Sequence, residues 1–374
     1  MKKANAKLRP DGRWEARAVI NGKRRSFYGE RQQDAIKAMR AAQKAADDGI
    51  YIEPARYSLS QWLDIWLSEY VQPSCKPLTV STYRNRITVH IKPALGQIRL
   101  QELTPTQIQQ FYNDLTRKES LSPKTVKNVH GILHKCLAQA VSLRYLVYNP
   151  ADACELPRME KKEIQPLTEQ DISAFLQAIE KDEPYRDLFT VTLFTGMREG
   201  EVCGLSWDAV NFKDGTITVK QQLQKGKEKG SAHYISTTKS GKARTITAAP
   251  MVMDIFKRIS IEQKRAQLAA GSAWDNTWNL VFVNAVGHFT VPQTLRNHFK
   301  RICRSIDLPD ARFHDLRHTY ACISLQEGDD LKTVQQNLGH ATASFTLDVY
   351  GHVSEKMKQE SADRMNRFMQ KVKA

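Results

Sequence analysis

The stretch FHDLRHTYA, residues 313–321, places two histidines, an aspartate and an arginine in five consecutive positions. If the stretch is helical, His314, Arg317 and His318 share one face, because residues three and four apart are neighbours on a helix. Two kinds of site have this pattern: a zinc site on an i, i+4 histidine pair, or a phosphate site where arginine and imidazole hold one oxyanion. Zinc is disfavoured, because Arg317 would repel a dication and no third ligand is evident.

The composition favours a nucleic-acid partner. The chain has 374 residues, which predicts two or three domains, and its net charge of +16 is typical of proteins that contact DNA phosphates. We find no long apolar run and no secretory signal, so we expect a cytosolic protein with no membrane contact. The six cysteines show no C-x-x-C spacing, which argues against disulfides and structural zinc.

Residues 1–50 form a basic unit, with thirteen Lys or Arg against six Asp or Glu. Strands RWEARAVI and KRRSFYG flank an Asn21-Gly22 pair that favours a type I′ turn, and a helix is predicted over 31–47. Such a sheet fits the DNA major groove, although an edge hairpin kept soluble by its charge has the same pattern. The predicted DNA contacts here are Arg13, Arg17, Lys23, Arg24 and Arg25.

Residues 57–156 are predicted to be helical throughout. Capping residues and apolar spacing indicate helices over 58–71, 78–91 beginning with Thr79, 105–118 and 123–146. Polar groups near the helix starts are suited to DNA, and the predicted contacts are Lys76, Thr79, Tyr83, Arg84, Lys124 and Lys127. A linker follows over 157–166, and then a region that mixes helices with β-strands at 216–247, where GTITVKQQL and ARTITAA are predicted strands on either side of a polar Lys/Gly loop.

Three further stretches of this last region carry candidate chemistry. LFTGMREGEVCGL (193–205) puts Arg198 at a helix start, where a cation opposes the dipole unless an anion or Glu201 compensates; a surface pair with Glu201 is the alternative. TTKSGKARTITA (237–248) is predicted to be a hairpin that presents Lys239. NLGHATASFTLDVYGHV (337–353) contains His340 and Tyr350, which singly fit packed residues as well as chemical ones.

In this order, TGMREGEVCGL, TKSGKARTI, HDLRHTYA, LGHA and the Tyr350-Gly-His triplet resemble the catalytic motifs of tyrosine recombinases, the phage-integrase family of site-specific DNA recombinases. The upstream regions resemble, by layout, the arm-binding and core-binding domains of integrases from temperate phages and conjugative transposons. The resemblance implies a multidomain, mainly α fold with small β elements. An arm-binding three-stranded sheet plus helix would occupy 1–50, a helical core-binding domain 57–156, and a mixed α/β catalytic domain 167–374 with a tail helix at 355–371.

The resemblance also implies residue roles. Tyr350 would attack the scissile phosphodiester, form a 3′-phosphotyrosyl bond and release a 5′-hydroxyl. Lys239 would protonate the leaving oxygen, with Lys242 as the competing candidate. The remaining roles are phosphate binding by Arg198, Arg317 and His340, proton transfer at the tyrosine by His314, and support by Glu201 and His318. Separately from the resemblance, the segment 237–248 presents Lys242 and Arg244, which we predict to contact DNA; a solvated charged turn is the alternative.

Elementary chemistry agrees with these roles. A phenol with a pKa of about 10 needs a base or a cationic environment to react at neutral pH. The energy of the cut bond is kept in the phosphotyrosine, so no cofactor and no metal are expected.

The implied partners are double-stranded DNA at core and arm sites, and three further copies of the chain in a tetramer. The apolar stripe of the tail would dock in trans on a neighbour or fold back in cis. An accessory excisionase or DNA-bending protein is a further expected partner. Two other functions use the same surface: DNA relaxation by a type IB topoisomerase, and regulation by a DNA-binding protein without catalysis.

Overall fold

The computed structural model describes residues 6–20, 22–48, 57–159, 166–180, 184–226, 232–238, 241–339 and 354–373, with side chains of the last helix from 362 to 372. The chain divides into two compact units, residues 1–160 and 161–374. The first contains the regions predicted to bind arm and core DNA, and the second contains the catalytic motifs. The boundaries of the individual domains remain a prediction.

The N-terminal region is a three-stranded antiparallel sheet in the order β1 (Ala6–Leu8), β2 (Trp14–Ile20) and β3 (Lys23–Gly29). Helix α1 (Gln32–Asp47) packs on one face of this sheet. The contact is built from small or slender side chains, Ala35 and Met39 of the helix and Ala16, Ala18 and Ile20 of the sheet. Because the helix covers one face, the alternate residues of β2 and β3 point to the other face. The predicted sheet plus helix is confirmed.

The rest of the first unit is helical. Its helices are α2 (Leu59–Trp66), α3 (Pro77–Arg86), α4 (Lys92–Leu95), α5 (Pro105–Arg117) and α6 (Pro123–Ser142), with π-helical turns at Leu67–Val71 and Ile87–Ile91 and a 3₁₀ turn at Leu100–Glu102. Ser58 caps α2, since its hydroxyl accepts a hydrogen bond from the Gln61 amide at 3.3 Å. Trp62 lies in the core and donates from Nε1 to the Cys136 carbonyl at 3.0 Å.

Two predicted helix limits are wrong. The helix predicted over 78–91 begins at Pro77 with Lys76 as its N-cap, because proline fits the first helical position and needs no hydrogen-bond partner there. The helix predicted over 123–146 ends at Ser142, since Arg144 has a φ of 60° and takes the chain out of the right-handed region.

The second unit is built from eight described helices and two small sheets. The helices are α7 (Glu169–Ile179), α8 (Arg186–Thr195), α9 (Glu199–Cys203), α10 (Pro250–Ala270), α11 (Pro292–Ser305), α12 (Phe313–Gln326), α13 (Leu331–Leu338) and α14 (Ser354–Lys373), with 3₁₀ turns at Trp207–Ala209 and Gly271–Ala273. Four aromatic rings, Phe175, Phe189, Phe299 and Phe313, pack together at the centre and join α7, α8, α11 and α12. This contact fixes the start of α12, which carries the HDLRH motif.

The strands of the second unit are β4 (Val210–Asn211), β5 (Thr216–Val219), β6 (Gln221–Lys225), β7 (His233–Thr237) and β8 (Arg244–Thr247). One sheet has the order β4-β5-β8, and the other pairs β6 with β7. GTITVKQQL is therefore two strands in different sheets, and β7 lies in the stretch predicted to be a polar loop. β7 ends at Thr237 and β8 begins at Arg244, and these two strands lie in different sheets, so they do not form the hairpin predicted over 237–248. The alternation of buried residues breaks at Gln222 and Leu223, which are both buried, and this break marks the change of sheet.

None of the described helices is both long and apolar enough to span a membrane.

Candidate active site

Arg198 is placed by a glycine turn between α8 and α9. Gly196 has a φ of 63°, and a Cβ atom there would come within 2.5 Å of Tyr320 Cδ1 and 2.7 Å of Leu338 Cδ2. Glycine is therefore required both by the backbone and by the approach of α12 and α13. The turn makes Arg198 the N-cap of α9, where its backbone amide donates to Glu201 Oε2 at 2.9 Å. The anion that compensates the cation at this helix start is thus Glu201.

Glu201 is the centre of a buried ionic network. Its side chain is fully buried, so the alternative of a surface pair does not hold. Arg198 Nη1 donates to Oε1 at 2.8 Å, and Arg244 binds both carboxylate oxygens, Nη1 to Oε1 at 3.0 Å and Nη2 to Oε2 at 2.6 Å. Burial favours the neutral acid, but the hydrogen bonds and charge of Arg244, and then of Arg198, prevail and lower the pKa of Glu201 to about 2. Glu201 is therefore a carboxylate at neutral pH.

Arg244, a predicted DNA contact, faces the interior of the protein. Its side chain is 11% exposed, and its Nε donates to the Asn337 carbonyl at 2.7 Å. The guanidinium therefore links β8 to α9 and to the last turn of α13. The sequence contains a signal for this orientation, because Arg244 is two residues before the buried Ile246 and shares its face of the strand.

Arg317 lies on α12 and is nearly buried, at 1% exposure. Its Nη1 donates to the Gly196 carbonyl at 2.7 Å, and its Nη2 donates to the Leu338 carbonyl. These carbonyls lie at the C-termini of α8 and α13, where the helix dipoles present negative charge. Two helix ends thus compensate the burial of this cation. Arg198, at 25% exposure, is the more accessible of the two arginines predicted to bind phosphate.

The two histidines of the HDLRH motif lie on the same side of α12, with ring centroids 4.9 Å apart and planes perpendicular. His318 is buried, whereas the side chain of His314 reaches solvent and is only partly surrounded by protein. This partial desolvation, and then the neighbouring His318, Arg317 and Arg198, lower the pKa of His314 to about 4. His314 is therefore neutral at pH 7 and can accept a proton. Burial also lowers the pKa of His318.

The last turn of α13 brings the cationic residues together. Gly339 ends this helix with a φ of 64°, and a Cβ atom there would come within 2.9 Å of Arg244 Cδ. Its carbonyl also accepts from Arg198 Nη2 at 3.5 Å. The backbone of Gly339 thus touches two arginines of the network, and the next residue in the sequence is His340.

Lys239, His340 and Tyr350 lie outside the residues that the structure describes, so their roles remain predictions. Lys242 is exposed, and its carbonyl accepts from Thr238 Oγ1 at 2.9 Å. The choice between Lys239 and Lys242 as general acid also remains a prediction. Within the described ranges, no three His, Cys, Asp or Glu side chains are grouped to hold a metal ion.

One hydrogen bond was not predicted from the sequence: the Leu167 backbone amide donates to Thr319 Oγ1 at 3.0 Å. This bond attaches the chain after the predicted linker to the helix that carries His314 and Arg317. A polar threonine within HDLRHTYA was the available signal, because a buried hydroxyl needs a partner.

The predicted DNA contacts of the first unit are mainly at the surface. Arg13, Arg17, Lys23, Arg24, Lys76, Arg84 and Lys124 are exposed, whereas Arg25, Thr79, Tyr83 and Lys127 are half-buried. Tyr83 stacks on Trp66 with ring centroids 5.9 Å apart, and its hydroxyl accepts from Lys135 at 3.3 Å.

Comparison with known proteins identifies both regions of the chain. Residues 165–357 match the phage integrase family, and residues 58–116 match the N-terminal SAM-like domain of phage integrases. A XerC-like tyrosine recombinase of Caldanaerobacter subterraneus is 28% identical over 365 residues, which cover 92% of this chain and 93% of the relative. The ICEBs1 integrase of Bacillus subtilis is 26% identical, over 84% of this chain and 85% of its own.

Solved structures share the fold. The Tn1549 transposon integrase in complex with a circular intermediate DNA superimposes with a TM-score of 0.70 at 20% identity, covering 83% of this chain and 99% of its own. A lambda integrase dimer bound to a core site gives a TM-score of 0.58 at 18% identity, covering 92% of this chain and 94% of its own. With the family model spanning more than half of the sequence, the chain belongs to the phage integrase family, the tyrosine-type site-specific recombinases that cleave and rejoin DNA strands.

Proposed function

We propose that this recombinase integrates and excises a mobile DNA element, with Tyr350 as its nucleophile. The observation that carries the proposal is the cluster of Arg198, Arg317 and neutral His314 around the end of α13, directly before His340. Two guanidinium groups and an imidazole in one place are suited to a phosphate that gains negative charge in the transition state.

The reaction has two steps. The Tyr350 oxygen attacks phosphorus, its proton goes to His314, and the bond from phosphorus to the 5′-oxygen breaks while Lys239 protonates that oxygen. The product is a 3′-phosphotyrosyl bond and a free 5′-hydroxyl. A 5′-hydroxyl of another strand then attacks phosphorus and gives its proton to Lys239, while the bond from phosphorus to tyrosine breaks and His314 returns its proton to the tyrosine oxygen. Bonds, protons and charge therefore balance without an added reactant.

Each donor has a defined task in this scheme. Arg198 is accessible enough to bind the non-bridging oxygens directly, and Arg317, which is nearly buried, adds positive charge close to them. Glu201 and Arg244 fix the position of Arg198. Loss of one such donor typically lowers the rate by a factor of about 10² to 10³.

The test is a suicide-substrate assay. Purified protein is incubated in EDTA with nicked duplex DNA from the ends of its own element, and the products are separated on a denaturing gel. We expect a protease-sensitive protein–DNA adduct that is absent in Tyr350→Phe and present in Tyr234→Phe, a matched control in the same unit. An adduct that persists in Tyr350→Phe would show that another residue is the nucleophile.

The same preparation separates the alternatives. A non-catalytic regulator would bind the DNA and give no adduct. A topoisomerase would relax a supercoiled plasmid that lacks the site, whereas a site-specific recombinase requires the site.

We further propose that four copies assemble on DNA, with core sites bound by the helical region and arm sites by the N-terminal sheet. A lambda integrase tetramer bound to a Holliday junction has the same fold, with a TM-score of 0.57. Helix α14 exposes Met365, Phe368, Met369 and Val372, an apolar stripe suited to docking in trans. Deletion of 354–374 should then abolish recombination and tetramer formation but retain binding to a single site.

The proposal places the protein with its DNA in the bacterial cytoplasm, together with an excisionase or DNA-bending protein that sets direction. Recombination of purified protein with and without a cell extract tests this partner. Equal integration and excision without the extract would contradict it.

A further inference from the structure

The N-terminal sheet has one face that α1 leaves open, and we call it the reading face. It consists of Lys7, Glu15, Arg17, Val19, Arg24, Ser26 and Tyr28, which point the same way because Glu15 pairs with Lys7 and Tyr28, Arg17 with Ser26, and Val19 with Arg24. Three of these residues are basic. The face is therefore complementary in charge to a duplex and not to a cation or a basic peptide.

One acidic residue lies within this basic face. Glu15 is only 8% exposed, and its Oε2 accepts from Arg17 Nη2 at 3.0 Å. Its Oε1 accepts from the Tyr28 hydroxyl at 3.4 Å, and that hydroxyl accepts from Arg9 Nη1 at 3.1 Å. Hydrogen bonds from Arg17 and then Ser26 lower the pKa of Glu15 to about 2, so the carboxylate is charged at neutral pH. A negative charge here opposes general affinity for phosphate, but it holds the Arg17 guanidinium in one orientation.

Arg17 remains available to a ligand although Glu15 holds it. Its side chain is 57% exposed, and a guanidinium has five N–H donors of which Glu15 takes one. An arginine held in one orientation on the reading face is suited to the O6 and N7 acceptors of guanine, which a guanidinium binds with two parallel hydrogen bonds. The orienting carboxylate lowers the entropy that Arg17 would lose on binding.

Val19 is the second unusual residue of the face, because this apolar side chain is 65% exposed near the end of β2. Among the described residues, the one directly across from it is Arg24. The 5-methyl group of thymine is the apolar feature of the major groove. Residues 17 and 19 are about 6.7 Å apart along a strand, which matches two base-pair steps of about 6.8 Å.

We propose that Arg17, oriented by Glu15, reads a guanine in the major groove, and that Val19 contacts the methyl group of a thymine two base pairs away. This inference rests on the proposed binding of arm sites by the N-terminal sheet. Arg24 and Lys7 contribute charge beside these two contacts, and they fit phosphates better than bases because no carboxylate orients them in the described contacts.

The test is a selection from random duplexes with the full-length protein, followed by affinity measurements on the enriched motif. We expect a motif with guanine and thymine two base pairs apart. For wild type, guanine to adenine should lower affinity about 5- to 150-fold, the range for one bidentate contact. Deoxyuridine in place of thymine should weaken binding of wild type and leave Val19→Ala unchanged.

Glu15→Gln separates orientation from simple electrostatics. Removing one negative charge should strengthen binding to random duplexes, yet the ratio of affinities for guanine and adenine should fall at least fivefold. If Glu15 acts only through its charge, affinity for all duplexes rises together and the ratio stays constant. Arg17→Lys should lower the same ratio, because an ammonium group lacks the fork. Arg40→Lys on the exposed side of α1 is the matched control and should change nothing.

The outcomes distinguish the two proposals. Unchanged guanine preference in both Glu15→Gln and Arg17→Lys would overturn the inference while arm binding stands. If a variant with Arg17→Ala and Arg24→Ala enriches the same motifs as wild type, arm binding by this sheet is itself overturned. Neither outcome affects the Tyr350 adduct assay, which tests recombination separately.

Discussion

Arg244→Ala should be among the most destabilising single changes in the catalytic unit, although Arg244 lies outside the predicted chemical steps. The carboxylate of Glu201 has no solvent exposure, and the structure gives it four donors, two from Arg244 and two from Arg198. Alanine removes two of them and also leaves the Asn337 carbonyl without its donor. A buried charge then remains half-paired.

Two estimates of the cost agree. Breaking a buried ion pair by removing one partner costs about 3–5 kcal/mol. The shift of the Glu201 pKa from 4.5 to about 2 corresponds to about 3 kcal/mol of favourable interaction with its surroundings. Against a typical total of about 5–15 kcal/mol, we expect a marginally folded unit.

The assay is a double-mutant cycle of Arg244→Ala and Glu201→Gln, read by urea unfolding and by hydrogen exchange of peptides that cover α9 and α13. Exchange reports opening of these helices without assuming that the two units unfold together. Adding Glu201→Gln to Arg244→Ala removes the unpaired charge, so the double variant should be more stable than Arg244→Ala alone. Lys257→Ala, which breaks an exposed pair with Asp254 in the same unit, is the control and should cost at most about 1 kcal/mol.

The pH dependence of the free energy of unfolding tests the same argument in a second way. In wild type, the Glu201 contribution is fully present above the unfolded pKa near 4.5 and is lost as pH falls through about 2. In Arg244→Ala, desolvation persists while the largest opposing contribution is gone, so the folded pKa of Glu201 rises. The deficit of the variant should therefore shrink as pH falls through that raised value. A cost below about 1 kcal/mol, or a double variant less stable than Arg244→Ala, would refute the reasoning.

Three further predictions concern the site and its supports. Arg198→Lys and Arg317→Lys should each lower adduct formation by a factor of about 10² to 10³ with DNA affinity nearly retained, measured by single-turnover gels and mobility shift; equal losses in both quantities would contradict a role in the transition state. The rate of adduct formation by wild type should show no titration of His314 between pH 5.5 and 8. With a pKa of about 4, nearly all His314 is neutral and able to accept a proton in this range, and the neutral fraction falls only at lower pH. A change of the rate with a midpoint at about pH 6.5 that is absent in His314→Gln would contradict this. Gly339→Ala should destabilise the catalytic unit by more than about 1 kcal/mol, because a positive φ and the Arg244 side chain both oppose a Cβ atom there. Gly131→Ala in α6 meets open space and should stabilise the protein by about 0.5–1 kcal/mol, and thermal melts of both variants test the pair.

Most of the helical architecture follows from local signals in the sequence. Ser58 and Thr104 cap the helices that capping residues predicted to begin near 58 and 105, because the capping hydroxyl and the glutamine three residues later act within one turn. The Asn21-Gly22 pair separates β2 from β3 at the expected place. These features depend on contacts within a few residues, so a single sequence is enough to predict them.

The errors occur where distant residues decide. GTITVKQQL has the composition of one strand, but its two halves pair with segments twenty or more and about twelve residues away, β8 and β7. Nothing local distinguishes these partners. Arg244 is predicted to contact DNA because it belongs to a charged segment, whereas the structure directs its side chain to Glu201, which is far away in sequence and buried only after folding. The family motifs bring Arg198, His314 and Arg317 together, whereas the acceptors that hold them are backbone atoms without a residue signature.

Those acceptors determine how the site tolerates change. The guanidinium groups of Arg198, Arg244 and Arg317 donate to the main-chain carbonyls of Gly339, Asn337, Gly196 and Leu338. A substitution replaces a side chain but leaves the carbonyl in place, so these acceptors vary only with the path of the chain. A designer who wishes to transplant this arrangement of arginines should therefore copy the ends of two helices and their left-handed glycine turns, and is free to vary most side chains around them.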